Sequence, residues 1–170
     1  QENMKNSIIL LFLAIFIIAC DKKVTTDKIK DTDPWSGKII QNDSKSLAAK
    51  KFSEAYTTNN LASVKSLFTD DAIFHVNDSK LTIDQMMEGF SQGHEYFDNI
   101  DHSDDNYTTM YYNNDSIFTN MWYTWSADSK KTGEKIIIRG YAWFKWQEDK
   151  IIEVYNAFDP TLYNAEMSDK

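Results

Sequence analysis

Residues 135–158 read KIIIRGYAWFKWQEDKIIEVYNAF. Two runs, Lys135 to Gln147 and Ile151 to Phe158, flank the polar turn Glu148-Asp149-Lys150. Both are rich in Ile, Trp, Tyr and Phe, side chains that suit a pleated, half-buried surface, so the stretch predicts an antiparallel hairpin. Side chains alternate across a strand. Gly140, Ala142, Phe144 and Trp146 therefore share one face, and Arg139, Tyr141, Trp143 and Lys145 share the other. Working backwards, Tyr107 to Tyr112 and Ile117 to Ala127 have the same character, and the turns Asn-Asn-Asp and Ser-Lys-Lys-Thr-Gly separate the runs. In the second run Phe118, Asn120, Trp122 and Thr124 face one way, and Met121, Tyr123 and Trp125 the other.

Nearer the N-terminus the apolar period is helical. Leu47, Ala48, Phe52, Ala55 and Tyr56 form a stripe at i, i+3/i+4 spacing, interrupted by Lys51, with Ser44 or Ser46 as cap. Asn59-Asn60 breaks this helix, and Leu61 to Phe68 predicts a second. Asp70-Asp71 leads into a short strand over Ala72 to Asn77. Thr82 caps a third helix that carries Ile83, Met86, Met87 and Phe90 and runs to about Asn99. His94 is placed near its end, able to project into a pocket mouth or into solvent. Asp98 to Asp105, with His102 inside it, reads as a solvated acidic loop, without the spacing or the glycine of an EF-hand. Helices followed by an antiparallel meander give an α+β fold. Its expected form is a cone: a curved antiparallel sheet wrapped over three N-terminal helices, with a central pocket.

The beginning of the chain reads as an address. Lys5 precedes twelve uninterrupted apolar residues, Ile8 to Ala19. A membrane-spanning helix needs about 20, whereas twelve suits the core of a secretory signal. The run closes Ile17-Ile18-Ala19-Cys20, which resembles a bacterial lipoprotein signal. That resemblance implies cleavage before Cys20, lipidation of its thiol, and a location at the bacterial cell envelope, held to the membrane and facing the periplasm or the outside. The expected organisation is thus a signal over residues 1–19, a flexible tether over 20–45, a folded domain over 46–160 and a tail over 161–170.

Composition narrows the function. With 26 acidic against 18 basic residues the formal charge is −8, the wrong sign for a phosphate-binding, nucleic-acid partner. The acidity belongs to residues 46–160, which hold 18 acidic and 10 basic side chains. The single cysteine leaves no intramolecular disulfide and no cysteine-based zinc site. No His-x-x-x-His pair, phosphate loop, dinucleotide fingerprint or Gly-x-Ser-x-Gly elbow occurs. No metal and no cofactor is expected.

Three strings carry a family likeness: Leu67-Phe68-Thr69-Asp70-Asp71-Ala72, then Arg139 to Trp146, then Asp149 to Asp159. They resemble the nuclear-transport-factor-2-like superfamily, which includes SnoaL-like cyclases and ketosteroid isomerases. Asp149 stands where that family's closing hairpin usually has a turn glycine. The resemblance turns the Gly140, Ala142, Phe144 face inward. It implies a pocket lined by Phe52, Tyr56, Val76, Phe90, Ala142, Phe144, Val154, Asn156 and Phe158. It also places Phe52, Val76 and Ala142 at the positions of the ketosteroid-isomerase tyrosine, base and oxyanion aspartate, so that particular mechanism is disfavoured. The remaining polar candidates are His75, Tyr56 and Asn156. His75 precedes Val76 where many relatives have a His-Asp pair.

Three functions stay open on these grounds. The chain binds a small apolar ligand or a protein partner without catalysis. Alternatively it is a small lyase, isomerase or cyclase with His75 as acid and base. Alternatively it is a structural dimerisation module. The outer aromatic face, with Tyr141, Trp143 and Tyr155, is the expected homodimer interface, since Trp and Tyr are enriched at such surfaces.

Overall fold

The computed structural model describes residues 32–168. The expected signal, the lipidated Cys20 and the first part of the tether lie outside the described residues. Seven strands form one sheet: β1 (Gly37–Ile40), β2 (Phe68–Val76), β3 (Ser79–Thr82), β4 (Phe97–Tyr112), β5 (Ile117–Ser129), β6 (Lys135–Gln147) and β7 (Lys150–Phe158). Their order is β1-β4-β5-β6-β7-β2-β3. Among the described residues three α-helices accompany it: α1 (Ser44–Thr57), α2 (Ile83–Gly93) and α3 (Thr161–Met167). Leu61–Leu67 forms a 3-10 helix. The architecture is the expected α+β cone, a curved open sheet closed by helices.

The closing hairpin has the expected antiparallel pairing, with Ala142 opposite Asn156 and Phe144 opposite Val154. Its turn takes a left-handed residue at Glu148 (φ 53°) rather than at Asp149. Trp146 is buried on the same face as Ala142 and Phe144, and its indole N–H donates to Thr119 Oγ1 at 2.9 Å, while the pairing with β7 shifts register between Lys145 and Trp146. The sheet is not wholly antiparallel, because β2 runs parallel to β7.

Other departures have local causes. Residues 37–45 are not tether: Gly37–Ile40 pairs with β4 as an edge strand. Asp43 caps α1, accepting from the Ser46 N–H at 2.8 Å. The same carboxylate also accepts from the hydroxyls of Thr109 (2.9 Å) and Tyr111 (2.5 Å). Lys45 is buried, bonding the Glu148 carbonyl and standing 4.9 Å from the Trp146 ring centre. The third predicted helix stops at Gly93, not Asn99, and Tyr96 and Phe97 lead into β4 instead. The C-terminal segment is a helix rather than a tail.

The helices cover the concave side of the sheet. α1 packs over β4 and β5, and α2 over β2 and β3. Phe52 of α1 is the hub, with ring contacts to Phe68 (5.6 Å), Phe74 (6.0 Å) and Phe144 (5.7 Å). A Thr82–Gln85 capping box fixes the start of α2, satisfying N–H groups that a bare helix terminus leaves unpaired.

Candidate functional site

The cone contains a cavity of about 490 Å³, within the range of about 300–1,000 Å³ common for small-molecule sites. Its sides come from Phe52 and Tyr56 of α1, Phe74 and Val76 of β2, Met86 and Phe90 of α2, and Ala142 and Phe144 of β6. Met121, Tyr123 and Trp125 of β5 and Asn156 and Phe158 of β7 add to them. Asn77, Asp78 and Ser79 of the β2–β3 turn lie at the rim, with Pro160, Tyr163, Asn164 and Met167 around and within α3.

The structure brings eight of the expected lining residues onto this wall: Phe52, Tyr56, Val76, Phe90, Ala142, Phe144, Asn156 and Phe158. Val154 is not among them. It pairs with Phe144 on one side and Phe74 on the other, is fully buried, and belongs to the core behind the wall. His75 is not there either. Alternation along β2 sends Phe74 and Val76 inward and His75 outward, where its Nε2 lies 3.3 Å from Glu153 and its ring beside Tyr155. His75 is therefore not the acid or base of this cavity. His94 caps α2, and its Nε2 meets the Tyr56 carbonyl at 2.9 Å. It fixes backbone rather than facing the cavity.

The histidine on the wall is His102. Its segment is part of β4, not a solvated loop. Two register shifts, between Asp98 and Asp101 and between Ser103 and Asn106, interrupt the pairing with β5. Asn99 and Asp104 take left-handed backbone at these bulges. Between them His102 lies opposite Trp125. Its Nδ1 is 2.5 Å from Ser53 Oγ on α1. Its ring stacks on Tyr56 (5.4 Å) and against Tyr123 (4.6 Å).

Around it, hydroxyl and amide groups form one polar end of an otherwise apolar cavity. The Trp125 indole N–H donates to the Tyr56 hydroxyl at 2.9 Å, which leaves the phenol proton for a ligand oxygen. Tyr123 donates to Asn156 Oδ1 at 2.6 Å, which leaves the Asn156 amide hydrogens as donors. Burial pushes His102 down to about 4 against the pull of Asp101 and Asp105, so the imidazole is neutral at neutral pH. Burial likewise pushes Tyr123 up to about 12, opposed by its bond to Asn156, and raises Tyr56 further. No group at this end carries charge at neutral pH.

On the other side of the sheet the rings form a continuous surface. Trp143 and Tyr155 stack at 5.9 Å with 14° between planes. Phe118 meets Trp143 edge-on at 5.6 Å, and Trp122, 57% exposed, lies 4.4 Å from Tyr141. Tyr141 donates to Asn120.

The sequence pattern of the SnoaL-like domain matches residues 49–154, more than half of the chain. The chain belongs to the SnoaL-like domain family. No curated protein matches it by sequence. Solved structures share its fold at low identity. One is a candidate polyketide cyclase from Xanthomonas campestris pv. campestris, with 12% identity, a TM-score of 0.58, and coverage of 71% of this chain and 93% of that one. Another is a candidate isomerase from Bacillus subtilis, with 8% identity, a TM-score of 0.57, and coverage of 73% and 92%. A third is a candidate SnoaL-like polyketide cyclase from Shewanella putrefaciens, with 13% identity, a TM-score of 0.54, and coverage of 74% and 97%. At these identities the likeness is one of fold.

In this SnoaL-like domain the polar end presents the Tyr56 hydroxyl and the Asn156 amide as hydrogen-bond donors. The neutral imidazole can exchange a proton with whatever lies against it. The sequence missed Ser53, Tyr123, Trp125 and His102 as site residues. Tyr123 and Trp125 figure in the sequence reading only as one face of a strand, and Ser53 lies beside the apolar helix stripe without belonging to it. Only the pairing of His102 with Trp125 across the bulged strand reveals its direction.

Proposed function

We propose that the cone cavity binds a small, neutral, largely apolar molecule through an oxygen held at the Tyr56–Asn156 end. The observation that carries this reading is the charge-free polar end inside an apolar wall. Burying an anion there would cost its hydration with no cation to replace it, and the acidic exterior adds repulsion. The family likeness supports an organic substrate and an acid–base conversion of it, as the names of the candidate cyclases and isomerase suggest for those proteins. Calorimetric titration with two bicyclic probes tests the reading. Neutral 2-tetralone binds with one site per chain, 2-naphthoate gives no heat, and Ala142→Trp, which fills the cavity, abolishes 2-tetralone binding. Equal binding of both probes, or of neither, overturns it.

A second copy on the outer face is favoured by the stacked Trp143–Tyr155 pair and the exposed Trp122 beside Tyr141. We also propose, from residues 5–20 alone, that Cys20 is lipidated and holds the domain at a bacterial envelope membrane. No helix among the described residues is long and apolar enough to cross one.

A further inference from the structure

Exposed apolar side chains gather at one end of the sheet. Trp35 (65% exposed), Ile39 (70%), Ile40 and Leu47 follow one another through β1 and into the first turn of α1. A single exposed Ile or Leu is ordinary, whereas a cluster marks a contact. This cluster is held in place. The Asn113 N–H donates to the Ser36 carbonyl at 2.8 Å and the Asn114 N–H to the Pro34 carbonyl at 3.2 Å, which ties residues 34–36 to the β4–β5 turn. The Trp35 ring meets Tyr112 edge-on at 5.4 Å. A Cβ on Gly37 would lie 2.0 Å from the Tyr111 carbonyl oxygen, so the glycine lets β1 close on β4. β1 is the last strand of the sheet. Ile39, opposite Met110, and Ile40, opposite Thr109, point to its two sides. The apolar side chains therefore straddle an open edge.

We propose that this end of the sheet rests on a lipid bilayer at headgroup level, with the cavity mouth turned to the aqueous side. This rests on the reading that Cys20 is lipidated. Twelve residues separate Cys20 from Thr32. Whatever their conformation they reach at most about 43 Å, so an anchored chain delivers the β1 end to the membrane before any other part of the domain. Trp suits the membrane–water interface, and a second apolar contact steadies a lipid anchor. Charge points the same way. Residues 32–40 hold only Asp33 and Lys38 and are neutral, whereas residues 46–160 carry the acidic excess and are repelled by an anionic surface. The pairings fix the orientation of the mouth. Lys38, Tyr111, Ile117, Trp146 and Ile151 form one row across the sheet. From that row β7 runs away to Phe158 at the rim, and β2, parallel to it, runs to the rim turn at Asn77. A neutral apolar ligand thus enters from water rather than out of the lipid.

The test uses the full chain recovered from cell membranes, after mass spectrometry of Cys20 for its lipid. The chain is placed in phosphatidylcholine vesicles, and in an equal mixture with phosphatidylglycerol, and compared with the chain in detergent. Trp35 emission is read as the difference between wild type and Trp35→Phe, with phosphatidylcholine brominated on its acyl chains as quencher. Hydrogen exchange is followed over residues 33–47 and over the rim, residues 77–81 and 160–167. The expected result is quenching of Trp35 and several-fold slower exchange over 33–47 in both lipid mixtures, with the rim unchanged. Leu47→Asp, on the exposed side of α1, and Ile39→Asp lose that protection while the chain stays lipidated. Unquenched Trp35 beside a lipidated Cys20 overturns the proposal and leaves the anchor standing. Slower exchange at the rim in place of 33–47 overturns it too. Protection of 33–47 that follows protein concentration in detergent, without quenching, assigns the edge to a second copy and overturns it. A wild-type chain with no lipid at Cys20 overturns the anchor and this proposal with it.

Discussion

At Gly140 the space a side chain would fill is taken by the Tyr123 ring, which lies across the backbone of β6. The absence of a Cβ lets Tyr123 reach Asn156, so one glycine positions half of the polar end. Gly140→Ala displaces the ring and breaks that bond. The expected loss is about 1–3 kcal/mol in denaturant unfolding, as for other overpacked sites, together with weaker 2-tetralone binding. His102 makes a separate, pH-dependent contribution. Its folded pKa is about 4 against 6.5 for the free side chain. Between those values the unfolded chain binds the extra proton, so stability is full above about 6.5 and falls as pH drops towards 4. Comparing unfolding at pH 7 and pH 5 shows a loss on the order of 1–3 kcal/mol that His102→Gln abolishes. An unchanged slope in the variant places the pH dependence elsewhere. Asp43 acts at lower pH. Burial raises its pKa, but the hydrogen bonds from Tyr111, Ser46 and Thr109 more than offset this and hold it below 3.8, so its contribution is present above that value and lost below it.

Among the elements, β5, β6 and β7 were legible because Ile, Trp, Tyr and Phe alternate without interruption over most of their length. β4 was legible only from Tyr107 onward. Its first half is Phe-Asp-Asn-Ile-Asp-His-Ser-Asp-Asp-Asn, and two bulges reset the alternation there. Period-2 reasoning assumes no inserted residue, and each bulge breaks that assumption. The candidate site divides the same way: apolar wall residues followed from strand parity and the family likeness, whereas His102 depended on two bulges with no apolar signature. β1 was hidden because an edge strand of four exposed residues has no buried face to pattern. α3 buries no residue of its own fully, yet its Tyr163 stacks on Phe97 at 5.0 Å and Glu166 accepts from Ser129 at 2.5 Å. Chains ending at Pro160 lose this cover over the cavity rim. Stopped-flow measurement is expected to show faster entry and faster release of a neutral fluorescent probe such as 1-N-phenylnaphthylamine. Unchanged rates remove α3 from the access route.

At the scale of the molecule, the two aromatic surfaces separate two questions. The inner one faces the proposed ligand, and the outer one the proposed second copy. Trp143→Ala removes the Tyr155 stacking partner and is expected to shift the chain towards monomer in sedimentation velocity, leaving 2-tetralone affinity unchanged. An unchanged mass counts against that pairing. Cys20→Ser is expected to leave an uncleaved chain without lipid label in cells, and normal maturation would falsify the anchor. The parallel seam between β2 and β7 has one more consequence. Phe74 and Val76 on one side of it and Asn156 and Phe158 on the other are wall neighbours drawn from the early and late parts of the chain. During synthesis β2 emerges long before β7 exists, so α1, α2 and β2 leave the ribosome with their Phe-rich faces uncovered. Closure waits for a contact of long sequence separation, the kind that slows folding. The interval before release is when this chain is most exposed to aggregation and most dependent on chaperones.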